Sequence, residues 1–283
     1  MGGTGHERER YAGLDASMTL NDGNSVVEVN GIEVELTVRG RGRPLLFLHP
    51  EIGFDRAGPA LDRLAQGARV IAPTHPGYGR AKIPSEFNTV DDLAYLYLDL
   101  LDALDLHEVT VVGAGIGGWI AAEMAVKTTA RLAHLVLVDA FGVKIGDRET
   151  RDIFDMYFIS DTDLQKVLYF DQELTKRDLT KLPDDELYAI ARAREATSRF
   201  GWKPYMHNPK LKRRLHRIRV PTLFLWGAED RIVAPAYGRA YCASIPGARL
   251  QLIERAGHFP HVERPEEFAR LALDFADGKE HRS

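Results

Sequence analysis

Three short stretches carry residue types that could do chemistry. The first, Val111-Val112-Gly113-Ala114-Gly115-Ile116-Gly117-Gly118, passes from β-branched residues through glycines into the apolar run Trp119 to Ala125. Strand, sharp bend and helix follow one another without a linker, which is the spacing of a nucleophile elbow, Gly-x-Ser-x-Gly. In such a turn, small flanking residues let strand and helix approach, and the strained central residue lifts its side chain above the sheet. Here the central residue is Gly115, which has no side-chain atom to attack with. The second stretch, Gly227-Ala228-Glu229-Asp230-Arg231, follows the apolar run Pro221 to Trp226. The third, Ala256-Gly257-His258-Phe259-Pro260-His261, follows Arg249 to Ile253. Elbow, acid and imidazole thus occur in the chain order of one kind of hydrolytic triad, with acid and base present and the nucleophile missing.

The elements that must position these residues are legible as a pattern. Residues 1–24 mix Gly, Arg, Glu, Asp and Ser without periodicity and are expected to form a loose tail, with order beginning at Ser25. Val26 to Val29 and Ile32 to Val38 carry strand residues on either side of Asn30-Gly31, a type I′ hairpin signal. Leu45 to Leu48 is a continuous apolar run, as expected of a strand covered on both faces of a parallel sheet. Asp55 to Gln66 fits a helix and Arg69 to Ala72 a strand. Thr89 is a helix cap, followed by Leu93, Leu96, Tyr97, Leu100, Leu101 and Leu104 on one helical stripe. Glu108 to Val112, Leu135 to Asp139, Pro221 to Trp226 and Arg249 to Ile253 fit further strands, and Pro265 to Phe275 a closing helix.

Between residues 143 and 217 the alternation of strand and helix stops. Helical patterns replace it at Arg151 to Ile159, Leu164 to Phe170 and Asp184 to Ser198, with Phe154, Tyr157, Phe158, Tyr169, Phe170 and Tyr188 among them. The expectation is an α/β fold: a mostly parallel sheet flanked by helices, formed by residues 25–142 and 218–283, with an inserted helical cap at 143–217.

Composition narrows the partners. Hydrophobic residues make up 45% and charged ones 28%, and a net charge of −4 at neutral pH gives no general attraction to nucleic acid or an anionic membrane. The basic run Lys210, Lys212, Arg213, Arg214, Arg217 and Arg219 is interleaved with Leu211, Leu215 and Ile218, so a solvated helix face explains it. The single cysteine, Cys242, permits no intrachain disulfide and fits a packed thiol in a helix. No apolar run approaches the ~18 residues of a membrane span, and no signal-peptide pattern opens the chain. A cytoplasmic protein with a small apolar substrate or ligand is expected. No cluster of His, Cys and Asp has ligand spacing, so neither metal nor organic cofactor is called for.

Taken together, these segments resemble the α/β-hydrolase family, over about residues 25–277. His49-Pro50-Glu51-Ile52-Gly53 is similar to its His-Gly-x oxyanion loop, with Pro50 for the glycine. Pro73-Thr74-His75-Pro76-Gly77-Tyr78-Gly79-Arg80 is similar to its Asp-x-x-Gly-x-Gly loop, with His75 for the aspartate. The glycine pattern alone would also suit a dinucleotide turn. However, it follows several strands, and the acid about 20 residues on is Asp139, which closes a strand of its own. The resemblance implies an eight-stranded sheet. It also implies His258 as base, Asp230 as the acid that holds it, and backbone N–H groups of Glu51 and Ile116 as the oxyanion hole. Gly115 falls at the nucleophile position, and His49, Trp119 and Phe141 near the substrate. Glu229 and Asp139 are spare acids. The Glu51 carboxyl is expected to be solvated or to brace its loop, with projection into the pocket as the alternative, His49 to brace the oxyanion loop, and His261 and Glu263 to be structural.

A triad without its nucleophile cannot form an acyl-enzyme, and such a loss costs on the order of 10⁶ in turnover. Three explanations stand for Gly115. It is a substitution in an otherwise ordinary ester or carbon–carbon hydrolase, whose elbow glycine suits. Alternatively, His258 with Asp230 acts as a general base on substrate or water without a covalent step. In the third, the pocket is kept for binding alone.

Overall fold

The structure is a computed structural model and describes residues 22–174, 176 and 178–279. Eight strands form one sheet in the order β1-β2-β4-β3-β5-β6-β7-β8: β1 Gly23–Val29, β2 Ile32–Arg39, β3 Pro44–Leu48, β4 Arg69–Pro73, β5 Val109–Ala114, β6 Leu132–Val138, β7 Thr222–Gly227 and β8 Arg249–Ile253. The β1–β2 hairpin and the β2–β4 pair are antiparallel; every other pair is parallel. The hairpin turns at Asn30-Gly31, both with positive φ as a type I′ turn requires. Gly23 already pairs with Val38, so the ordered chain begins before Ser25 and residues 1–21 of the expected tail lie outside the described residues.

Burial on both faces makes the central strands uniformly apolar, and the period of two sorts their side chains between two cores. Leu46, Leu48, Leu135 and Leu137 join the helices α2 Val90–Ala103 and α3 Ile116–Lys127 in the larger core. Leu45, Phe47, Val136 and Val138 face the other side, against α1 Gly58–Leu64 and Phe268, Leu271 and Ala272 of the last helix, Pro265–Ala276. The Thr89 cap is realised as a full capping box with Asp92.

Several expected boundaries move. The helix placed at Asp55 to Gln66 is confined to Gly58–Leu64, because Arg56 takes a positive φ and residues 51–56 turn instead. The strand placed from Glu108 begins at Val109, since Glu108 also has positive φ. Between β6 and β7 lie α4 Asp161–Leu168 and α5 Asp184–Gly201, close to two of the expected helices. The third, Arg151 to Ile159, is not helical. Its backbone is committed elsewhere: Phe154 N–H donates to Ile232 O, and Met156 N–H to the Tyr205 hydroxyl. The basic run forms a 3₁₀ turn, Lys212–Arg217, with Leu211, Leu215 and Ile218 buried and Lys212, Arg213 and Arg214 exposed. Phe158 and Tyr188 of the aromatic set stay exposed. After β7 come α6 Pro235–Cys242, whose Cys242 is buried, then α7 Pro260–Glu263 and α8, the last helix. No helix among the described residues is long and apolar enough to cross a membrane.

Registry brings the strand ends to one edge: Leu48 pairs with Gly113, Ala114 with Val138, and Gly227 with Ile253. The start of α3 is pressed onto that edge. A Cβ at Gly117 would lie 2.2 Å from Leu48 O, a contact no side chain could make. Gly117→Ala is therefore expected to cost about 1–3 kcal/mol by overpacking, measured by chemical denaturation. Gly58→Ala, where a Cβ meets nothing within 4 Å, should be neutral or slightly stabilising; equal effects at the two positions would contradict the close approach.

Candidate functional site

Four loops leave the carboxyl edge of the sheet and meet, as ligand sites do in open α/β sheets. After β5 the chain turns at Gly115, φ 50 and ψ −117, a conformation that strains any residue with a side chain. The next residue, Ile116, opens α3, so its N–H has no acceptor within the helix. After β7, a tight turn folds the Asp230 carboxyl back: its Oδ1 accepts from Ile232 N–H at 2.7 Å and Val233 N–H at 3.0 Å, which leaves Oδ2 free to face outward. After β8, the His258 N–H donates to Leu168 O at 2.8 Å, and His258 Nδ1 lies 2.8 Å from Asp230 Oδ2. Both side chains are fully buried.

The fourth loop supplies the group for which projection into the pocket was the alternative to a solvated or loop-bracing side chain. Glu51, 7% exposed, directs its carboxyl into the site. Its Oε1 lies 3.0 Å from His258 Nε2, an ion-pair distance, while Oε2 has no hydrogen-bond partner among the described residues. Its Oε2 stands 2.2 Å from where a Gly115 Cβ would be. One carboxyl group thus spans Gly115 and the imidazole and fills the room a side chain at 115 would need. The sequence holds a trace of this arrangement: a missing side chain at 115 and an acidic one at 51, in two loops expected to converge.

Electrostatics follow from burial. Removal from water alone would drive the His258 pKa down, but the charges of Asp230 and Glu51 and the Asp230 hydrogen bond outweigh it and hold the ring well above its ordinary value. Behind the pair lies Asp139, whose Oδ1 accepts from Gly227 N–H at 3.0 Å. Burial, followed by the neighbouring Asp230 charge, raises its carboxyl well above the usual range. Asp139, Asp230 and His258 offer three ligand atoms within 4.8 Å of one another, the one such buried set among the described residues. Two of the three, His258 Nδ1 and Asp230 Oδ2, are already paired with each other at 2.8 Å.

The remaining expected residues divide. Phe141 stacks on the His258 ring, centroids 5.2 Å apart and planes at 18°. His49 is spent on the scaffold: its Nε2 accepts from His75 N–H at 3.0 Å, so its Nδ1–H donates to Pro50 O at 2.8 Å. His75 in turn donates from Nε2 to His49 O and accepts the Tyr97 hydroxyl at Nδ1. Burial takes His49 down to about 4 and His75 well below 6.5, so both rings are neutral braces joining two loops. Trp119, expected near the substrate, instead donates to Glu123 Oε1 and lines a separate cavity of about 820 Å³ with Phe200, Trp202 and Asn208. Glu229 accepts from Ala256 N–H. Glu263 accepts from Phe170, Asp171 and Gly257 N–H groups, and His261 is buried with its pKa lowered to about 3.

A raised folded-state pKa means that protonated His258 stabilises the fold most fully below pH 6.5, and that this contribution fades as pH climbs through the raised value. The stability gap between the wild type and His258→Gln, from denaturation curves, is expected to narrow as pH rises above 6.5. A gap that widens with pH would contradict a buried imidazolium.

A family model described as the alpha/beta hydrolase family matches residues 45–271. The 2-hydroxy-6-oxo-2,4-heptadienoate hydrolase of Pseudomonas putida is 27% identical over 270 residues, covering 88% of this chain and 95% of that protein. The 2-hydroxymuconate semialdehyde hydrolase of a Pseudomonas species is 26% identical, covering 87% and 90%. Among solved structures, a mutant meta-cleavage product hydrolase of Pseudomonas fluorescens superposes with a TM-score of 0.76 at 20% identity, covering 90% of this chain and 98% of that one. Eight strands in this order, helices on both faces and a match across most of the sequence identify the chain as a member of the alpha/beta hydrolase family.

Proposed function

We propose that this protein is a cofactor-independent enzyme that cleaves an ester or a carbonyl-flanked carbon–carbon bond in a small, largely apolar substrate. It does so by proton transfer at the His258–Asp230 pair and without a covalent intermediate on residue 115. The observation that carries this is the intact buried pair, 2.8 Å between Nδ1 and Oδ2, retained beside a turn that has no nucleophile. A chain that only bound ligand would have no use for a buried imidazole so paired, because a buried charged pair is costly unless fully compensated. Asp230 fixes the ring and its charge, Phe141 packs its face, and the Ile116 and Glu51 N–H groups are the donors for a developing oxyanion. The residues between β6 and β7 act as a cap. Met156, Tyr157, Leu164 and Leu168 present an apolar wall beside Glu51, which favours an apolar substrate. The relatives named as hydrolases of dienoates and of a semialdehyde make carbon–carbon bonds next to carbonyls a suitable first class to assay. Cytoplasmic residence accompanies this reading.

Turnover of p-nitrophenyl acetate and of 2-hydroxy-6-oxo-6-phenylhexa-2,4-dienoate is expected to fall by roughly 10²–10⁴ in His258→Ala, the usual worth of a positioned acid–base group. Equal rates in the wild type and the variant would remove the imidazole from the mechanism. Gly115→Ser is expected to give no acyl-enzyme burst, because the Glu51 carboxyl stands where the new side chain must go. A burst from that single change would favour a substituted serine hydrolase instead.

A further inference from the structure

We infer that Glu51 is a further catalytic residue of this site: its carboxyl takes the proton from a hydrolytic water, and His258 serves as the acid that protonates the leaving group. The inference rests on the proton-transfer reading above and deepens it. Three observations carry it. The Glu51 side chain is 6% exposed, Oε1 faces the His258 ring at 3.0 Å, and the buried Oε2 has no hydrogen-bond partner among the described residues, an arrangement that a purely structural carboxyl does not leave standing. The carboxyl occupies the position in front of Gly115 from which an elbow side chain would attack, with Oε2 2.2 Å from the would-be Cβ. It also borders a small cavity, about 50 Å³ and bounded by Ile52, Met156, Leu164, Arg194 and Thr197, which is room for about one water at ~30 Å³ each.

His258 is poorly suited to be the base in the resting site. It is flanked by Asp230 at Nδ1 and Glu51 at Nε2, and the two charges keep its ring protonated. An imidazolium can donate a proton but has no lone pair with which to accept one.

The cycle balances. Water oxygen bonds to the carbonyl carbon of an ester while one of its protons passes to Glu51. The carbonyl electron pair moves onto oxygen and is met by the N–H groups of Ile116 and Glu51. Collapse breaks the bond from carbon to the alkoxy oxygen, and the His258 Nε2 proton goes to that departing oxygen. Acid and alcohol leave, and the proton held by Glu51 crosses the 3.0 Å to Nε2, which restores the starting pair. No oxidant, metal or second substrate enters.

The test uses p-nitrophenyl acetate with the full chain and the near-isosteric Glu51→Gln, whose folding is checked by its melting temperature. Glu51→Gln is expected to lose at least about a hundredfold in kcat with little change in KM, as general-base removal does. A single turnover in H₂¹⁸O is expected to put one ¹⁸O into acetate and none into the peptide that carries Glu51. Label in Glu51 would mean that its carboxyl attacks the substrate directly, and would overturn the base role. Wild-type turnover in Glu51→Gln, with His258→Ala inactive, would also overturn it while leaving the proton-transfer reading in place. Wild-type rates no better than buffer, or undiminished in both variants, would bring down both.

Discussion

The site is built around a buried positive ring that must be compensated from both of its nitrogens. Taking an imidazolium out of water is unfavourable by several kcal/mol unless opposite charge and hydrogen bonds meet it. Asp230 on Nδ1 and Glu51 on Nε2 supply that charge from the loops after β7 and β3. The surrounding architecture serves this compensation. Parallel strands end level, so the loops start from one edge; backbone donors hold one Asp230 oxygen so that the other faces His258; and Phe141 closes the ring face. Behind them, burial and the neighbouring Asp230 charge push the Asp139 carboxyl towards its neutral form.

Much of the fold was legible because its signals are local. Unbroken apolar runs such as Leu45 to Leu48 mark two-sided burial, Asn30-Gly31 marks the hairpin, and Thr89 marks a helix start. The misplaced elements are those decided by distant partners. Residues 151–159 have helical spacing, but Asp152 caps the Ile145 and Gly146 N–H groups, and Phe154 and Met156 bond across to other segments, which outweighs a weak intrinsic preference. Arg56 and Glu108 adopt positive φ where nothing in their type announces it.

The site divides along the same line. The Asp230 and His258 positions follow from strand ends and order, which the sequence records. The direction of a side chain does not follow from order. Glu51 was expected to contribute its backbone, and Trp119 its ring to the substrate. In the folded chain the Glu51 carboxyl turns inward because residue 115 leaves room for it, and the Trp119 ring is drawn to Glu123 and to the gap at Gly142. Each outcome depends on empty volume created elsewhere in the chain, and volume is not encoded at any single position. A shared fold therefore says little about chemistry, which lies in how a few loops fill one space.

Glu263 carries a mechanical consequence. One of its oxygens accepts the N–H groups of Phe170 and Asp171, just past α4, while the other accepts that of Gly257, and the adjoining His258 N–H is bound to Leu168 O. The end of α4 and the peptide that carries the imidazole are thus fastened to one shared anchor, so any displacement of α4 would be felt directly at the backbone that aims the ring.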